Sequence, residues 1–356
     1  MDEAVEYSQR LGRISQEQFA GATERLGVGR FVRATPITSG LFGQNVFLST
    51  SEGEFVLRGA PHWVDFGDRG PWKHVPNDRW QFAKEIVFAN LLHERTDAPV
   101  PWPQLLDEKS DIFGWPYIIM PRMPGICFDE RSIRKALSAQ QRHAVARALG
   151  DELARQQALA WPFAGDVDAT LTLQPYPGGH ATHVARETAR FADNARSNGA
   201  LTQEDDAWIA RIVEAALAHA PTDRANAYVH GDYKLGNLCV VEEDGAWRVS
   251  GLFDLHESRF GDGASDLCRQ LCSYLDTDVE LAGVFLDAYR ARADLGPAIE
   301  ARFALYLVND RMKFWDYFTR PPKRASWLEG HTFRSWVGRY LNESLRLVAN
   351  PAVSSF

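Results

Sequence analysis

Cysteine is scarce: Cys127, Cys239, Cys268 and Cys272 are the four in 356 residues, and no two form a C-x-x-C unit. That excludes the usual zinc-ligand spacings. Buried free thiols in a reducing compartment are the expectation, with Cys268 and Cys272 at i, i+4 able to share one helix face. No apolar run nears the ~20 residues that cross a bilayer, and Met1 to Glu6 lack the apolar core of a signal peptide. An excess of basic charge is also missing: 39 Lys and Arg face 47 Asp and Glu, a net charge of −8. This argues against sequence-independent nucleic-acid binding, which needs a basic surface. Internal repeats and low-complexity tracts are absent. What is present, 45% hydrophobic and 24% charged residues, is the composition of a folded globular protein. A cytoplasmic protein with no membrane or nucleic-acid partner is expected.

The pattern along the chain changes once. Ser15, with Gln18 three residues on, predicts a capped helix ending near Gly27. β-like pieces follow at 31–37, 45–49 and 54–58, then a helix over 81–94 and further β-like pieces at 104–107 and 115–120. Residues 61–80 carry Trp63, Trp72 and Trp80 among three prolines and show no period. After Pro124-Gly125 long helical segments dominate: 138–159, 182–197, 202–219, 278–293, 298–318 and 330–348. One β-like pair, within 228–253, interrupts them. The fold class is therefore α+β, with an antiparallel-sheet part over 1–122, a mostly helical part over 123–356, a hinge near 121–126 and a cleft between them.

The densest signal is Tyr228-Val229-His230-Gly231-Asp232-Tyr233-Lys234-Leu235-Gly236-Asn237. A short strand enters a polar loop, 238–241 leaves as a strand, and 247–253 returns to Asp254 after the hairpin signal Asp244-Gly245. Pairing those strands brings Asn237 and Asp254 to the same open end. An amide oxygen beside a carboxylate suits Mg²⁺ bound to phosphates. Asp232 at the loop mouth could take a proton from a substrate hydroxyl, and Lys234 supplies positive charge. Together these are the parts needed for phosphoryl transfer. His230 reads as a buried support of the loop.

The order HGDxxxxN, followed by an Asp closing an apolar strand, resembles the aminoglycoside phosphotransferase and choline-kinase superfamily, which has the protein-kinase-like bilobal fold. The resemblance implies an ATP- and Mg²⁺-dependent phosphotransferase acting on an alcohol group. It gives Asp232 the role of catalytic-loop aspartate, Lys234 that of the lysine near the γ-phosphate, and Asn237 and Asp254 those of metal ligands. Gly261 to Leu267 is similar to the family's GDPxxDL segment, whose acids read as supports behind the site. For the nucleotide it implies Ser39, Gly40 and Gly43 in a phosphate loop, and Arg58 where lysine is usual in the third strand. Glu85 would be the partner of that cation, with Met120 and Arg122 at the adenine strand and connector.

The acceptor is less legible. An aminoglycoside-like compound, and with it antibiotic resistance, is what the resemblance implies first. A choline-, sugar- or amino-alcohol-type metabolite is the alternative. His256 and Glu257, next to the metal aspartate, are acceptor candidates, as are Asp310 and Asp316. The last two point about 120° apart on one helix by the ~100° per residue of an α-helix, and read as solvated helix charges. The aromatic stretch 61–80 reads equally as a lid or a packing flap. A catalytically silent nucleotide-binding protein is a further alternative, kept open by Arg58. A protein kinase fits poorly, because Gly231 replaces the usual arginine and few residues separate Asp254 from Gly261. The expected state is a monomer or homodimer.

Overall fold

Ser15 starts the first helix as its spacing predicts. Its hydroxyl accepts from Gln18 N (3.2 Å), and Gln18 Oε1 accepts from Ser15 N (2.9 Å), which satisfies both ends of a capping box. The computed structural model describes residues 4–8, 11–37, 44–59, 78–127, 130–220, 226–320 and 325–349. A short hairpin of β1 (Val5–Ser8) and β2 (Gly12–Ile14) precedes this helix, α1 (Gln16–Arg25). Then come β3 (Phe31–Pro36), β4 (Asn45–Thr50), β5 (Gly53–Gly59), α2 (Asp78–Arg95), β6 (Leu105–Asp107) and β7 (Tyr117–Pro121). The strands form an antiparallel sheet in the order β3-β4-β5-β7-β6.

Alternation decides what each face of that sheet does. Along β4, Val46 and Leu48 are buried while Asn45, Phe47 and Ser49 are half-buried, the period of a strand covered on one side. Cross-strand pairing sets Phe47 opposite Val56 and Val56 opposite Met120, and Arg58 opposite Asn45 and Ile118. Those side chains share the face from which Arg58 reaches Asp254. The other face packs Val46, Leu48 and Leu57 into a core with Phe19 and Tyr117.

The remainder contains α3 (Glu130–Ala136), α4 (Ala139–Gln156), α5 (Gly179–Ser197), α6 (Gln203–Ala218), α7 (Leu267–Thr277), α8 (Val279–Arg290), α9 (Ile299–Thr319) and α10 (Phe333–Ala349). The expected caps Ser138 and Thr202 are in place on α4 and α6. α7 was indicated only by the i, i+4 spacing of Cys268 and Cys272, and α3 was not expected from the sequence. Nor was a sheet made of β8 (Ala160–Trp161), β9 (Gly165–Val167), β10 (Leu173–Pro175), β11 (Asn226–Val229) and β14 (Arg259–Gly261), ordered β10-β9-β14-β11-β8. Its strands hold two to four residues, too few to display a period, and long-range pairing alone defines them. The expected hairpin is β12 (Leu238–Glu243) with β13 (Ala246–Leu252). Its Asp244-Gly245 turn has φ of 53° and 76°, positive at both central positions as such a turn requires.

The connector between the two parts is tied to this hairpin. Ile126 N donates to Val240 O (2.7 Å) and Val240 N to Ile126 O (3.0 Å). Gly125 lies at φ 100°, and a Cβ there would stand 2.3 Å from Val240 O. The antiparallel bridge sets residue 127 across from 239, and Cys127 and Cys239 are joined as a disulfide. This corrects the expectation of four free thiols, and a reducing compartment loses that support. Cys268 and Cys272 are free, buried and together on α7, as expected.

Candidate active site

The loop after β11 is held from behind by buried polar groups. Asp266 Oδ2 accepts from His230 N (2.7 Å) and its Oδ1 from Gly231 N (2.8 Å). Gln157 Nε2 bonds Gly263 O (2.9 Å), and Gln270 Oε1 accepts from Leu235 N (2.8 Å). His230 is fully buried, and burial pushes its pKa down, so the ring is neutral. Nε2–H then donates to Phe253 O (2.9 Å) and Nδ1 accepts from Asp232 N (3.3 Å). One tautomer satisfies both contacts, and the histidine braces the loop against the end of β13. Gly231, at φ 84°, passes so close to Glu257 that a Cβ would lie 2.5 Å from that residue's carbonyl oxygen.

The loop brings together the residues expected there. Asp232 Oδ2 lies 2.6 Å from Lys234 Nζ and accepts from Asn237 Nδ2 (2.9 Å). The same amide nitrogen donates to Asp232 O (2.9 Å). Asn237 therefore commits its NH₂ end to the loop, which leaves its oxygen end for a cation. Phe253 N donates to Asn237 O (3.0 Å), so Asp254 follows directly beside Asn237. Asp254 sits at φ 67°, a left-handed conformation that a non-glycine residue adopts at a cost.

Two cationic side chains meet at Asp254. Arg58, on β5, reaches Glu85 of α2 (3.0 Å) with one nitrogen and Asp254 Oδ1 (3.0 Å) with the other. The arginine fork thus does what a lysine would do with one ammonium, and links both carboxylates at once. His256 Nδ1 also contacts Asp254 Oδ1 (2.8 Å). Burial opposes the charge on all four groups. For His256 the nearby carboxylates, Asp254 first, outweigh it and push the pKa up to about 9. For Asp254, His256 and Arg58 outweigh burial and hold the carboxyl well below its usual range. Glu85, only 3% exposed, is pushed up by burial despite Arg58.

Glu85, Asp254 and His256 place three potential ligand atoms within 4.8 Å of one another. A protonated imidazole has no lone pair to offer, however, and burial pushes the Glu85 carboxyl toward its neutral form, a poor ligand. The donor pair that fits Mg²⁺ is the ionised Asp254 carboxylate with the Asn237 amide oxygen, both hard oxygens at one end of the hairpin.

The other expected residues fall in several places. Met120 is on the face of the sheet that carries Arg58, opposite Val56. Arg122 lies over the Phe47 ring (3.9 Å) and donates its N–H to Glu54 O (3.0 Å). Ser39, Gly40 and Gly43, and residues 60–77 of the aromatic stretch, lie outside the described residues; 78–80 begin α2. Glu257 is held by Lys313 (3.0 Å) and Arg259 (3.3 Å). Asp310 and Asp316 are not solvated, which corrects that expectation. Asp310 pairs with Arg269 (2.6 Å) and Arg311, and Asp316, 1% exposed, pairs with Arg320. Their arginines are elsewhere on α7, α9 and its end, so the pairing left no mark in helical spacing except at i, i+4 for Arg320.

Sequence reasoning missed Arg269, Phe47 and Val56. The last two carry a signal, since the alternation of β4 and β5 puts them on Arg58's face. Arg269 has none. A separate cleft of about 800 Å³ opens on the opposite face of the sheet, lined by Ala20, Thr23, Phe55, Leu105 and Ile119. It holds none of the residues above and is not the site of this chemistry.

Curated relatives include mouse acyl-CoA dehydrogenase family member 10, 27% identical over 266 residues. Rat acyl-CoA dehydrogenase family member 11 is 25% identical over 238 residues. The matches take in 74% and 66% of this chain but 22% and 27% of those proteins, so the chain spans about a quarter of the relatives' length. Among solved structures, a protein from Ralstonia eutropha, provisionally named an aminoglycoside phosphotransferase, aligns over 95% of this chain and 99% of its own, with a TM-score of 0.64 and 15% identity. A thermostable mutant of aminoglycoside phosphotransferase APH(4)-Ia, in a ternary complex with ADP and hygromycin B, aligns over 93% of this chain and 98% of its own at TM-score 0.57 and 13% identity. A protein from Thermobifida fusca, provisionally named a fructosamine-3-kinase, aligns over 92% and 98% at 0.56 and 16%. These likenesses establish the protein-kinase-like fold. The model of the family described as "Phosphotransferase enzyme family" matches residues 33–303, and the chain belongs to that family.

Proposed function

We propose that the chain is a Mg-ATP-dependent kinase that phosphorylates a hydroxyl group of a small molecule. The observation that carries this reading is the convergence of Asp232, Lys234, Asn237 and Asp254 at the end of one hairpin, beneath the Arg58–Glu85 pair. The nucleotide would lie under Phe47, Val56 and Met120, with Arg58 toward its phosphates and Ser39 to Gly43 over them. Asp232 would accept the proton of the acceptor hydroxyl. That oxygen then bonds the γ-phosphorus, and the bond from the γ-phosphorus to the oxygen bridging to ADP breaks. Lys234 offsets charge on the transferred group. Magnesium, held by Asn237 and Asp254, would neutralise the phosphates. The sheet-rich part up to 122 and the helical part from 123 would be the two lobes.

For the acceptor, the aminoglycoside-like reading has the support of neighbours such as the hygromycin B complex. A sugar-type metabolite has a structural argument. Glu257, Asp310 and Asp316 are each held by lysine or arginine, so these acids have little charge left for a polyamine. A cytoplasmic setting is proposed with this small-molecule role.

The test is Mg-ATP consumption against a panel of aminoglycosides and neutral sugars and sugar alcohols, with Asp232→Asn as blank. Turnover above the blank supports the kinase reading, and the reactive class assigns the branch. Failure of Mg-ATP to bind at all refutes it.

A further inference from the structure

Arg269 of α7 does not belong to the motif, yet it joins the loop to the helical core. Its Nη1 lies 2.7 Å from Asp232 Oδ1. Its other edge reaches Asp310 Oδ1, from Nε at 2.7 Å and from Nη2 at 2.6 Å. Its guanidinium lies over the Phe314 ring at 4.4 Å. Asp310 is itself gripped by Arg311 Nε at 2.9 Å, and Arg311 covers Phe314 at 4.6 Å. A planar guanidinium held on two edges and one face has little freedom left.

Asp232 Oδ1 is buried and accepts no hydrogen bond among the described residues; Arg269 approaches it closely but off the hydrogen-bonding direction. The side chain as a whole keeps 14% exposure. What remains accessible is therefore away from Oδ1, toward the Oδ2 edge that carries Lys234 and Asn237.

We infer that Arg269 is a positioning residue that fixes the buried edge of Asp232 and presents Oδ2 to the acceptor hydroxyl, and that Asp310 acts only through Arg269. This rests on Asp232 being the base. It moves Asp310 from the acceptor's surface to the support of the base. Holding a general base in its working orientation is worth a large factor in rate, because small misplacements are costly when the reaction depends on alignment.

The experiment uses the full chain and Mg-ATP hydrolysis, with water in the acceptor's place. Arg269→Ala should lower kcat roughly tenfold or more while KM for Mg-ATP and the melting temperature stay near wild type. Added guanidinium at millimolar concentration should restore part of the rate to Arg269→Ala and none to Asp232→Asn. Asp310→Asn should lower kcat less, and should add nothing in the Arg269→Ala background. Wild-type kcat in Arg269→Ala, additive losses in the double variant, or a loss that guanidinium does not relieve would each overturn the inference. Equal hydrolysis by wild type and Asp232→Asn would instead overturn the kinase reading beneath it, an arm that involves no change at Arg269.

Discussion

Asp266→Asn isolates one carboxylate behind the loop that carries Asp232. In the protein as it stands, two backbone N–H groups, the buried one of His230 and the half-buried one of Gly231, end on its two oxygens at 2.7 and 2.8 Å. Asparagine keeps one acceptor and turns an NH₂ group toward the second N–H. One bond then persists with a neutral acceptor, and one buried donor loses its partner. Bonds to charged groups contribute about 1.5–3 kcal/mol, and an orphaned buried donor costs about 1–3 kcal/mol, so a loss of about 2–4 kcal/mol is expected. Gly231 passes close to Glu257, where even a Cβ would not fit, so a shift of the backbone toward that side brings no relief. Urea unfolding followed by tryptophan fluorescence should show a lower midpoint with an unchanged slope. Mg-ATP turnover should fall at least about tenfold, since Asp232 directly follows the released residues. A midpoint and a turnover both indistinguishable from wild type would refute the idea that this carboxylate holds the loop.

Three other outcomes follow from the same geometry. Glu152, 3% exposed, is pushed up to about 7 by burial. Its carboxyl is neutral in both folded and unfolded chains below the ordinary 4.5, so relative stability is full there and falls as pH rises through 7, by up to ~3 kcal/mol. Glu152→Gln should match wild type near pH 4 and melt higher at pH 8; equal melting temperatures at both pH values would contradict this. Asp232→Asn should lower kcat by on the order of 10²-fold while nucleotide affinity, measured by calorimetry, survives. Asp254→Ala should abolish turnover and weaken Mg-ATP by roughly tenfold more than ATP alone, a gap of about 1.4 kcal/mol in binding. Equal weakening of both would remove Asp254 from the metal site.

The loop, the hairpin and the capped helices were legible because each is encoded locally. Ser15, Ser138 and Thr202 announce their helices within four residues, and Asp244-Gly245 allows only a narrow set of turns. Asn237 and Asp254 could be paired on paper because the hairpin between them has a countable register. The sheet around β11 was not legible, since β8, β9, β10 and β14 have no period of their own and exist through partners up to about a hundred residues away. Asp310 and Asp316 misled for a related reason. Helical spacing fixes direction around an axis but not what stands opposite, and what stands opposite includes Arg269, from another helix. The Cys127–Cys239 link depended likewise on the bridge at Ile126, a pairing of a connector with a strand.

Helix α2 has a place in both hydrophobic cores: Phe82 packs with Leu57 and Tyr117, while Phe88, Ala89 and Leu92 pack with Tyr228 and Phe260. Kinases that are switched on and off use the corresponding lysine–glutamate pair as a contact that a moving helix can break. Here such a swing would pull three buried side chains out of the larger core, at several kcal/mol by the usual ~1.5–3 kcal/mol per large apolar side chain exposed. Glu85 is thus riveted in place, and Arg58 with it. The consequence is that control by rearranging α2 would have to overcome this double anchorage.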